Sequence, residues 1–213
     1  MLNLTSAWLR IALLAAMLVT GGAAGARPAT ILVFGDSLSA EYGLPRGTGW
    51  VRLLSDRLAK EAAQYSVVNA SISGETTSGG RTRLPRLLQQ HRPSIVVLQL
   101  GANDGLRGLS LAAMRENLAA MIRDSVGAGA RVLLIGIRIP PNYGREYSER
   151  FAAVYTQLAR EEKVALVPFL LDGFADDLDL FQADRIHPGE RAQARMLDTV
   201  WTQLAPLLRP SKR

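Results

Sequence analysis

Three residues of this sequence have the types and spacing needed for nucleophilic attack on an acyl group: Ser37, Asp184 and His187. A serine hydroxyl is a poor nucleophile at neutral pH unless a base removes its proton, and an imidazole oriented by a carboxylate is suited to that task. Because His187 follows Asp184 by three residues, a turn can bring the carboxylate to one ring nitrogen and leave the other as a base. We therefore expect Ser37 to be the nucleophile, His187 the base and Asp184 the orienting acid.

Each of these residues also has a structural interpretation. Ser37 comes directly after an apolar run and would serve there as the N-cap of a helix. Asp184 and His187 would be a capping carboxylate and a surface histidine, with Pro188 in the first turn of the next helix. The other histidine, His91, stands before a proline and a strand, where a basic side chain closes a helix, so we assign it a structural role.

An acyl-transfer site also needs hydrogen-bond donors for the negatively charged oxygen of its tetrahedral intermediate. We expect three: the backbone N–H of Ser37, the backbone N–H of Gly74 and the side-chain amide of Asn103. Two of them have simpler explanations, since Gly74 could only permit a positive φ and Asn103 could only cap a turn. Their joint occurrence after successive predicted strands favours the catalytic interpretation.

The elements that must position these residues alternate between strands and amphipathic helices. Continuous apolar runs are typical of strands that are covered on both faces, and five such runs occur: Ile31 to Gly35, Ser66 to Asn69, Ile95 to Leu100, Val132 to Ile137 and Ala165 to Pro168. This alternation predicts an α/β fold, a three-layer α/β/α sandwich around a five-stranded, mostly parallel sheet. Ligands of such folds bind beyond the carboxyl ends of the strands, where Ser37, Gly74 and Asn103 are expected to lie.

The chain of 213 residues, 48% of them hydrophobic, is long enough for one core and too short for two ordinary domains. Its N-terminal segment has a nine-residue apolar run, Ile11 to Val19, followed by small residues. We interpret residues 1–26 as a signal peptide cleaved after Ala26, because the run is shorter than the roughly 20 residues of a membrane-spanning anchor. Residues 27–213 would then form one periplasmic or secreted domain.

Several other functions are disfavoured. The net charge of +6 comes from scattered basic residues, so we expect no nucleic-acid partner. Gly74 and Gly79 have the spacing of a phosphate-binding loop, but Gly80 and Arg81 stand where that loop needs Lys and Ser or Thr. Without cysteine or paired histidines we expect no metal and no cofactor. The acidic run 172–184 matches no calcium loop and is interpreted as a solvated loop.

Four segments resemble the sequence blocks of the SGNH hydrolases, also called the GDSL lipase/esterase superfamily. They are residues 34–43 around Ser37, residues 69–80 with Gly74, residues 99–108 with Asn103, and residues 184–193 with Asp184 and His187. Residues 137–151 and 164–171 also look like the bacterial multifunctional esterases of the TesA type, a group named for arylesterase, acyl-CoA thioesterase, protease and lysophospholipase activities. The chain departs from this pattern at Ala102, often glycine, and Arg185, often small.

The resemblance implies a flavodoxin-like sheet and hydrolysis of carboxylic esters and thioesters through an acyl-enzyme on Ser37. Four apolar residues flank the site loops and are candidates for an acyl channel: Leu106, Leu109, Leu111 and Ile139. The expected partner is a small or lipid-like ester, with transient contact to a membrane surface. Two alternatives stay open, a carbohydrate O-acetylesterase with the same catalytic residues and a non-catalytic binding module of the same fold. The oligomeric state stays open as well.

Overall fold

A computed structural model describes residues 28–209, so the predicted signal peptide lies outside the described residues. Five strands form one sheet in the order β2-β1-β3-β4-β5, and all four pairings between neighbouring strands are parallel. The strands are β1 (Ala29–Gly35), β2 (Tyr65–Asn69), β3 (Ile95–Gln99), β4 (Arg131–Ile135) and β5 (Ala165–Val167). The predicted α/β/α sandwich is confirmed, and its five strands are those expected from the apolar runs.

Helices cover both faces of the sheet. They are α1 (Trp50–Glu61), α2 (Thr77–His91), α3 (Ala102–Leu106), α4 (Leu111–Gly127), α5 (Arg145–Glu161) and α6 (Gln193–Leu204), with 3₁₀ turns at Pro141–Tyr143, Leu178–Leu180, Glu190–Ala192 and Ala205–Leu208. Helices α1 and α6 pack together on one face, whereas α2, α4 and α5 pack side by side on the other. In the described part of the chain, no helix has both the length and the apolar character that crossing a membrane requires.

The continuous apolar strands are buried because both of their faces meet helices. Residues Ile31 to Phe34 of β1 and all of β3 are completely buried, and β1 lies between β2 and β3. The helices are amphipathic as predicted: Leu54 and Leu58 of α1 are buried, and Leu53 is half-buried. α2 ends at His91, the position expected for this histidine.

The structure corrects two predicted helix starts. No helix begins at Ser37, because the chain makes one turn there and Glu41 then takes a left-handed φ of 59°. The Glu41 carboxylate accepts hydrogen bonds from the amides of Gly47 and Gly49, and α1 begins only after them. Pro188 does not begin a helix either. It pairs with Phe181 in an isolated antiparallel bridge, and the next helical turn starts at Glu190.

A network of buried polar side chains joins the carboxyl ends of β1 and β3. Gln99 donates a hydrogen bond from Nε2 to Oδ1 of Asp36, 3.0 Å away, and accepts one at Oε1 from Ser39 at 2.6 Å. The amide of Leu38 also donates to Asp36 Oδ1, at 3.1 Å. Oδ2 of Asp36 is buried and has no hydrogen-bond partner. Burial raises the pKa of Asp36 to about 6, although the hydrogen bonds from Gln99 and Leu38 oppose that rise.

This pKa makes the stability of the fold depend on pH. Because Asp36 has a higher pKa in the folded protein than in the unfolded chain, the unfolded chain releases this proton first, and the Asp36 contribution to stability is lost as the pH rises from about 4 to about 6. That loss is roughly 3 kcal/mol for a shift of this size. We expect Asp36→Asn to remove this pH dependence. Between pH 4 and pH 6, the free energy of unfolding of the variant should therefore fall less than that of the parent.

Urea denaturation of both proteins at pH 4, 5, 6 and 7 measures this difference. Groups that titrate equally in the two proteins cancel in the comparison. The lowered pKa of Asp184 acts in the opposite direction and below this pH window. Parallel stability profiles for the parent and the variant would show that Asp36 does not titrate between pH 4 and 6.

Candidate active site

Ser37 lies in the turn that follows β1, two residues beyond Gly35. The backbone carbonyl of Asp36 accepts hydrogen bonds from the amides of Ser39 and Ala40, which closes this turn. The side chain of Asn69, at the end of β2, donates to the carbonyl of Ser39 at 2.8 Å. The turn is thus stabilised by hydrogen bonds within itself and by the bond from Asn69. In this position Ser37 Oγ lies 2.8 Å from Nε2 of His187.

Asp184 orients the histidine through three contacts. Its Oδ1 accepts hydrogen bonds from the amides of Ile186 and His187, at 2.9 and 3.0 Å, and its Oδ2 lies 2.6 Å from Nδ1 of the His187 ring. Burial alone would raise the pKa of Asp184, but the hydrogen bonds from His187 and Ile186 lower it overall. The carboxylate is therefore ionised near neutral pH and can stabilise a protonated imidazole.

The segment that carries His187 is docked against the segment that follows Ser37. The ring of Tyr42 lies over the His187 imidazole, with ring centroids 4.5 Å apart. The Gln182 side chain donates a hydrogen bond from Nε2 to the Tyr42 carbonyl at 2.8 Å. The Gln182 backbone amide donates to the His187 carbonyl, also at 2.8 Å. The tertiary structure thus places the His187 ring between the Ser37 hydroxyl and the Asp184 carboxylate.

Two of the expected oxyanion donors are backbone amides without a backbone partner. Within residues 28–209, neither the Ser37 amide nor the Gly74 amide donates to a backbone carbonyl. Gly74 has a φ of +78°, so the conformational interpretation of this glycine is correct and leaves its N–H available at the same time. The third donor, Asn103, lies in α3 and not in a turn, and it lines the cavity beside Ser37.

The loops that carry Gly74 and Asn103 are bonded to each other. Asn103 donates one hydrogen bond from Nδ2 to the carbonyl of Glu75, at 3.1 Å, which leaves its second amide hydrogen for a ligand. Arg107 donates to the carbonyl of Gly74, also at 3.1 Å. Buried Asp104 accepts hydrogen bonds from the amide and the hydroxyl of Thr77. Asn103 therefore both supports the neighbouring loop and presents a donor.

A cavity of about 880 Å³ opens beside Ser37 and His187. Its walls are mainly apolar, with charged side chains among them. The lining residues besides Ser37 and His187 are Leu38, Ala102, Asn103, Leu106, Ile137, Arg138, Ile139, Pro140, Phe169, Leu171, Asp172, Gly173, Phe174, Ala175, Asp176, Asp177, Leu178, Phe181, Arg185 and Ile186. Such a cavity next to a nucleophile can hold the apolar part of a ligand.

The structure brings two of the four expected channel residues to this cavity. Leu106 and Ile139 are part of its wall. Leu109 is 44% exposed on the loop after α3, and Leu111 packs against the core at the start of α4, so neither lines the cavity. Both positions at which the chain departs from the family pattern, Ala102 and Arg185, do line it.

The acidic run is more than a solvated loop. Its aspartates are exposed, but residues 172–178 form one side of the cavity, and Phe174 is buried. Sequence reasoning also missed Phe169 and Arg138, whose guanidinium stacks 4.6 Å from the centre of the Phe169 ring. Phe174 and Leu178 are apolar residues within the acidic run, and they were the available signal that one side of it faces a nonpolar space.

This arrangement can transfer the Ser37 proton to His187 while three N–H groups donate hydrogen bonds to a negatively charged oxygen of a ligand. Among the described residues, no group of three His, Cys, Asp or Glu side chains is placed to hold a metal ion.

Known proteins share this sequence and this fold. Residues 33–195 match the model of the GDSL-like lipase/acylhydrolase family. The chain is 53% identical to esterase TesA of Pseudomonas aeruginosa over 179 residues, which cover 84% of this chain and 89% of that protein. It is 44% identical to thioesterase 1/protease 1/lysophospholipase L1 of Escherichia coli K12, with coverages of 84% and 85%.

A solved structure of a TesA protein superposes with a TM-score of 0.82 at 53% identity, covering 84% of this chain and 99% of that one. The match to the family model spans the segments that carry Ser37, Gly74, Asn103 and His187. The chain belongs to the GDSL-like lipase/acylhydrolase family and is a hydrolase of carboxylic esters.

Proposed function

We propose that this hydrolase cleaves carboxylic esters and thioesters through an acyl-enzyme on Ser37, with His187 as base and Asp184 as its orienting acid. The observation that carries this proposal is the pair of contacts made by one imidazole, 2.8 Å to the Ser37 hydroxyl and 2.6 Å to the Asp184 carboxylate. The two ring nitrogens are thus committed to two different partners, as proton transfer from serine requires.

In the first half of the reaction, His187 takes the hydroxyl proton as Ser37 Oγ attacks the carbonyl carbon of the substrate. The carbonyl oxygen becomes negatively charged and receives hydrogen bonds from the amides of Ser37 and Gly74 and from Asn103. His187 then gives its proton to the leaving alcohol or thiol, and the carbon–oxygen or carbon–sulfur bond breaks. The acyl group is now an ester of Ser37.

In the second half, water takes the place of the leaving group. His187 removes a proton from this water as the water oxygen attacks the acyl-enzyme, and the same three donors hold the second tetrahedral intermediate. The proton returns from His187 to Ser37 Oγ as the carboxylic acid leaves. Asp184 stays ionised throughout, which its lowered pKa favours.

The substrates we propose are lipid-like esters with an apolar acyl chain, including aryl esters, acyl thioesters and lysophospholipids. The apolar walls contributed by Leu106, Ile139 and Phe174 support an acyl group longer than acetyl. A thioesterase 1/lysophospholipase L1 that is 44% identical supports the same substrate range. A carbohydrate O-acetylesterase would need little of this apolar volume.

The surroundings of the site support transient contact with a lipid surface. Every segment that follows the carboxyl end of a strand exposes at least one large apolar side chain, between 40% and 53% exposed: Tyr42, Ile72, Leu109, Tyr143, Leu178 and Ile186.

We further propose a periplasmic or secreted location, because the sequence contains the apolar segment Ile11 to Val19. Sequencing the N-terminus of exported protein tests it and is expected to find Arg27 first.

Replacing Ser37 with Ala should abolish ester turnover and covalent labelling by a fluorophosphonate, because the attacking oxygen is removed. Mass spectrometry of the intact protein measures the labelling. Ser78→Ala is the matched control, since Ser78 is an exposed serine of α2 and should keep both turnover and labelling. Labelling of the Ser37→Ala protein would contradict the assignment of the nucleophile.

Replacing Asn103 with Ala should lower kcat by roughly 10²- to 10³-fold, because one oxyanion donor is lost. Steady-state kinetics with p-nitrophenyl esters measure this change. Asn117→Ala is the control, because Asn117 bonds to Thr77 and Arg81, away from the cavity, and its kcat should stay near the parent value. An unchanged kcat for Asn103→Ala would remove this residue from the site.

The cavity predicts a preference for acyl chains longer than acetyl. Each buried methylene contributes about 0.8 kcal/mol, so burial of only two of the additional methylenes of an octanoyl chain should raise kcat/KM by about tenfold over the acetyl p-nitrophenyl ester. Ala175→Trp fills part of the cavity and should reduce activity on octanoyl more than on acetyl ester. Ala128→Trp, at the exposed end of α4, is the control and should leave the profile unchanged.

A profile that peaks at acetyl would favour the O-acetylesterase alternative.

With lysophospholipids the rate should rise further as the substrate passes its critical micelle concentration, because the exposed apolar side chains around the site can then contact an aggregate. A smooth hyperbolic dependence through that concentration would argue against the surface contact.

A further inference from the structure

One buried polar side chain lies between the segments that carry Ser37 and His187, and the reaction described above does not use it. Gln193 is the first residue of α6 and only 3% exposed. It comes six residues after His187 in the sequence and has no place in the cavity wall. Its amide group nevertheless makes hydrogen bonds to the two segments.

On one side, Gln193 holds the chain directly after His187. Its Nε2 donates to the carbonyls of Pro188 and Gly189, at 3.3 and 3.2 Å. Both amide hydrogens are therefore used within two residues of the imidazole. Buried Pro188 is the fixed point of this segment, because Ala183, Asp184, Arg185 and Ile186 before it are all exposed.

On the other side, Gln193 holds the start of α1. Its Oε1 accepts a hydrogen bond from the backbone amide of Trp50 at 3.0 Å. The N-cap of α1, Gly49, makes no side-chain capping bond, so Gln193 takes that function from a distant part of the chain. The indole N–H of Trp50 donates in turn to the carbonyl of Leu38, the residue after Ser37, at 3.0 Å.

These bonds form a continuous connection from Leu38 through Trp50 and Gln193 to Pro188. This connection is independent of the Ser37–His187 hydrogen bond, because no atom of the Ser37, His187 or Asp184 side chains takes part in it. Two further links join the segments: the Tyr42 ring lies against the His187 imidazole, and Gln182 bonds to the Tyr42 carbonyl at the surface, where water competes for the same groups.

We propose that Gln193 is a positioning residue, which sets the separation between the Ser37 hydroxyl and the His187 imidazole by bonding α1 to the chain after His187. This inference rests on the proposed function. Displacement of catalytic groups by about 1 Å can lower a rate by about 10²-fold. Loss of the Gln193 amide leaves the buried N–H of Trp50 without a partner and removes one of the two hydrogen bonds accepted by each of the Pro188 and Gly189 carbonyls, which frees the His187 segment to shift relative to α1.

Gln193→Met tests the proposal, because methionine has a similar length and cannot form any of the three hydrogen bonds. The active fraction is counted by fluorophosphonate titration, so kcat refers to folded, reactive sites only. We expect kcat to fall by about 10- to 100-fold while KM stays within about twofold, and the rate constant of phosphonate labelling to fall with kcat. A role in stability alone would lower the melting temperature and leave kcat per titrated site unchanged.

Gln193→Glu is the second variant and covers the case in which the methionine variant does not fold. Glutamate keeps the acceptor for the Trp50 amide but loses the donors to Pro188 and Gly189, so kcat per site should again fall with KM preserved. Gln90→Met, in the exposed part of α2, is the matched control and should behave as the parent. Parent-like kcat per titrated site in either Gln193 variant would overturn the proposal.

The outcome is separable from that of the proposed function. Ser37→Ala decides whether Ser37 is the nucleophile. If it loses all labelling while both Gln193 variants turn over normally, only the positioning role is refuted.

Discussion

The hydrogen bond between Ser37 Oγ and His187 Nε2 joins residues 150 positions apart, and most features of the structure bear on its length of 2.8 Å. Ser37 is placed by β1, which lies inside the parallel sheet and is buried on both faces. His187 is placed by a segment whose residues 183–186 are all exposed, and it depends on bonds to other parts of the chain. Ser37 is thus positioned by the buried sheet, whereas His187 is positioned by polar contacts to other segments.

The same edge of the sheet concentrates buried polar groups. Asp36, Gln99 and Asp104 are each almost fully buried: Asp36 directly follows β1, Gln99 ends β3, and Asp104 lies in α3. Burying such groups is costly unless they are hydrogen-bonded, and here each bond fixes a loop: Asp36 shapes the turn of Ser37, and Asp104 holds the start of α2. Burial raises the pKa of Asp36, so its contribution to the stability of this part of the fold is lost as the pH rises through that pKa.

The cavity is built differently from the proposed catalytic centre. Its apolar walls come from the segments after β3, β4 and β5, and the last of these also contributes the exposed carboxylates Asp172, Asp176 and Asp177 to the lining. The proposed lipid-like substrate would place its acyl chain against Phe169, Phe174 and Ile139 in this cavity.

The sequence by itself determined the alternation of strands and helices, because continuous apolar runs and amphipathic stretches have few other ways to be buried. It also indicated Ser37, Asp184 and His187, since a serine needs a base and only one histidine has a carboxylate at a suitable spacing. Local sequence patterns predicted helix starts at Ser37 and Pro188, and both predictions are wrong. The backbone conformation at these residues is decided by bonds to other segments of the chain.

Only the tertiary structure decided which apolar residues reach the cavity and what supports the catalytic residues. Leu109 and Leu111 are as apolar as Leu106 and Ile139, and their different positions depend on how α3 and α4 pack. Gln193 resembles any polar residue at a helix start until Trp50, 143 residues earlier, is brought against it. Local patterns predict which residues can do chemistry, whereas contacts between distant segments decide which of them are held in place to do it.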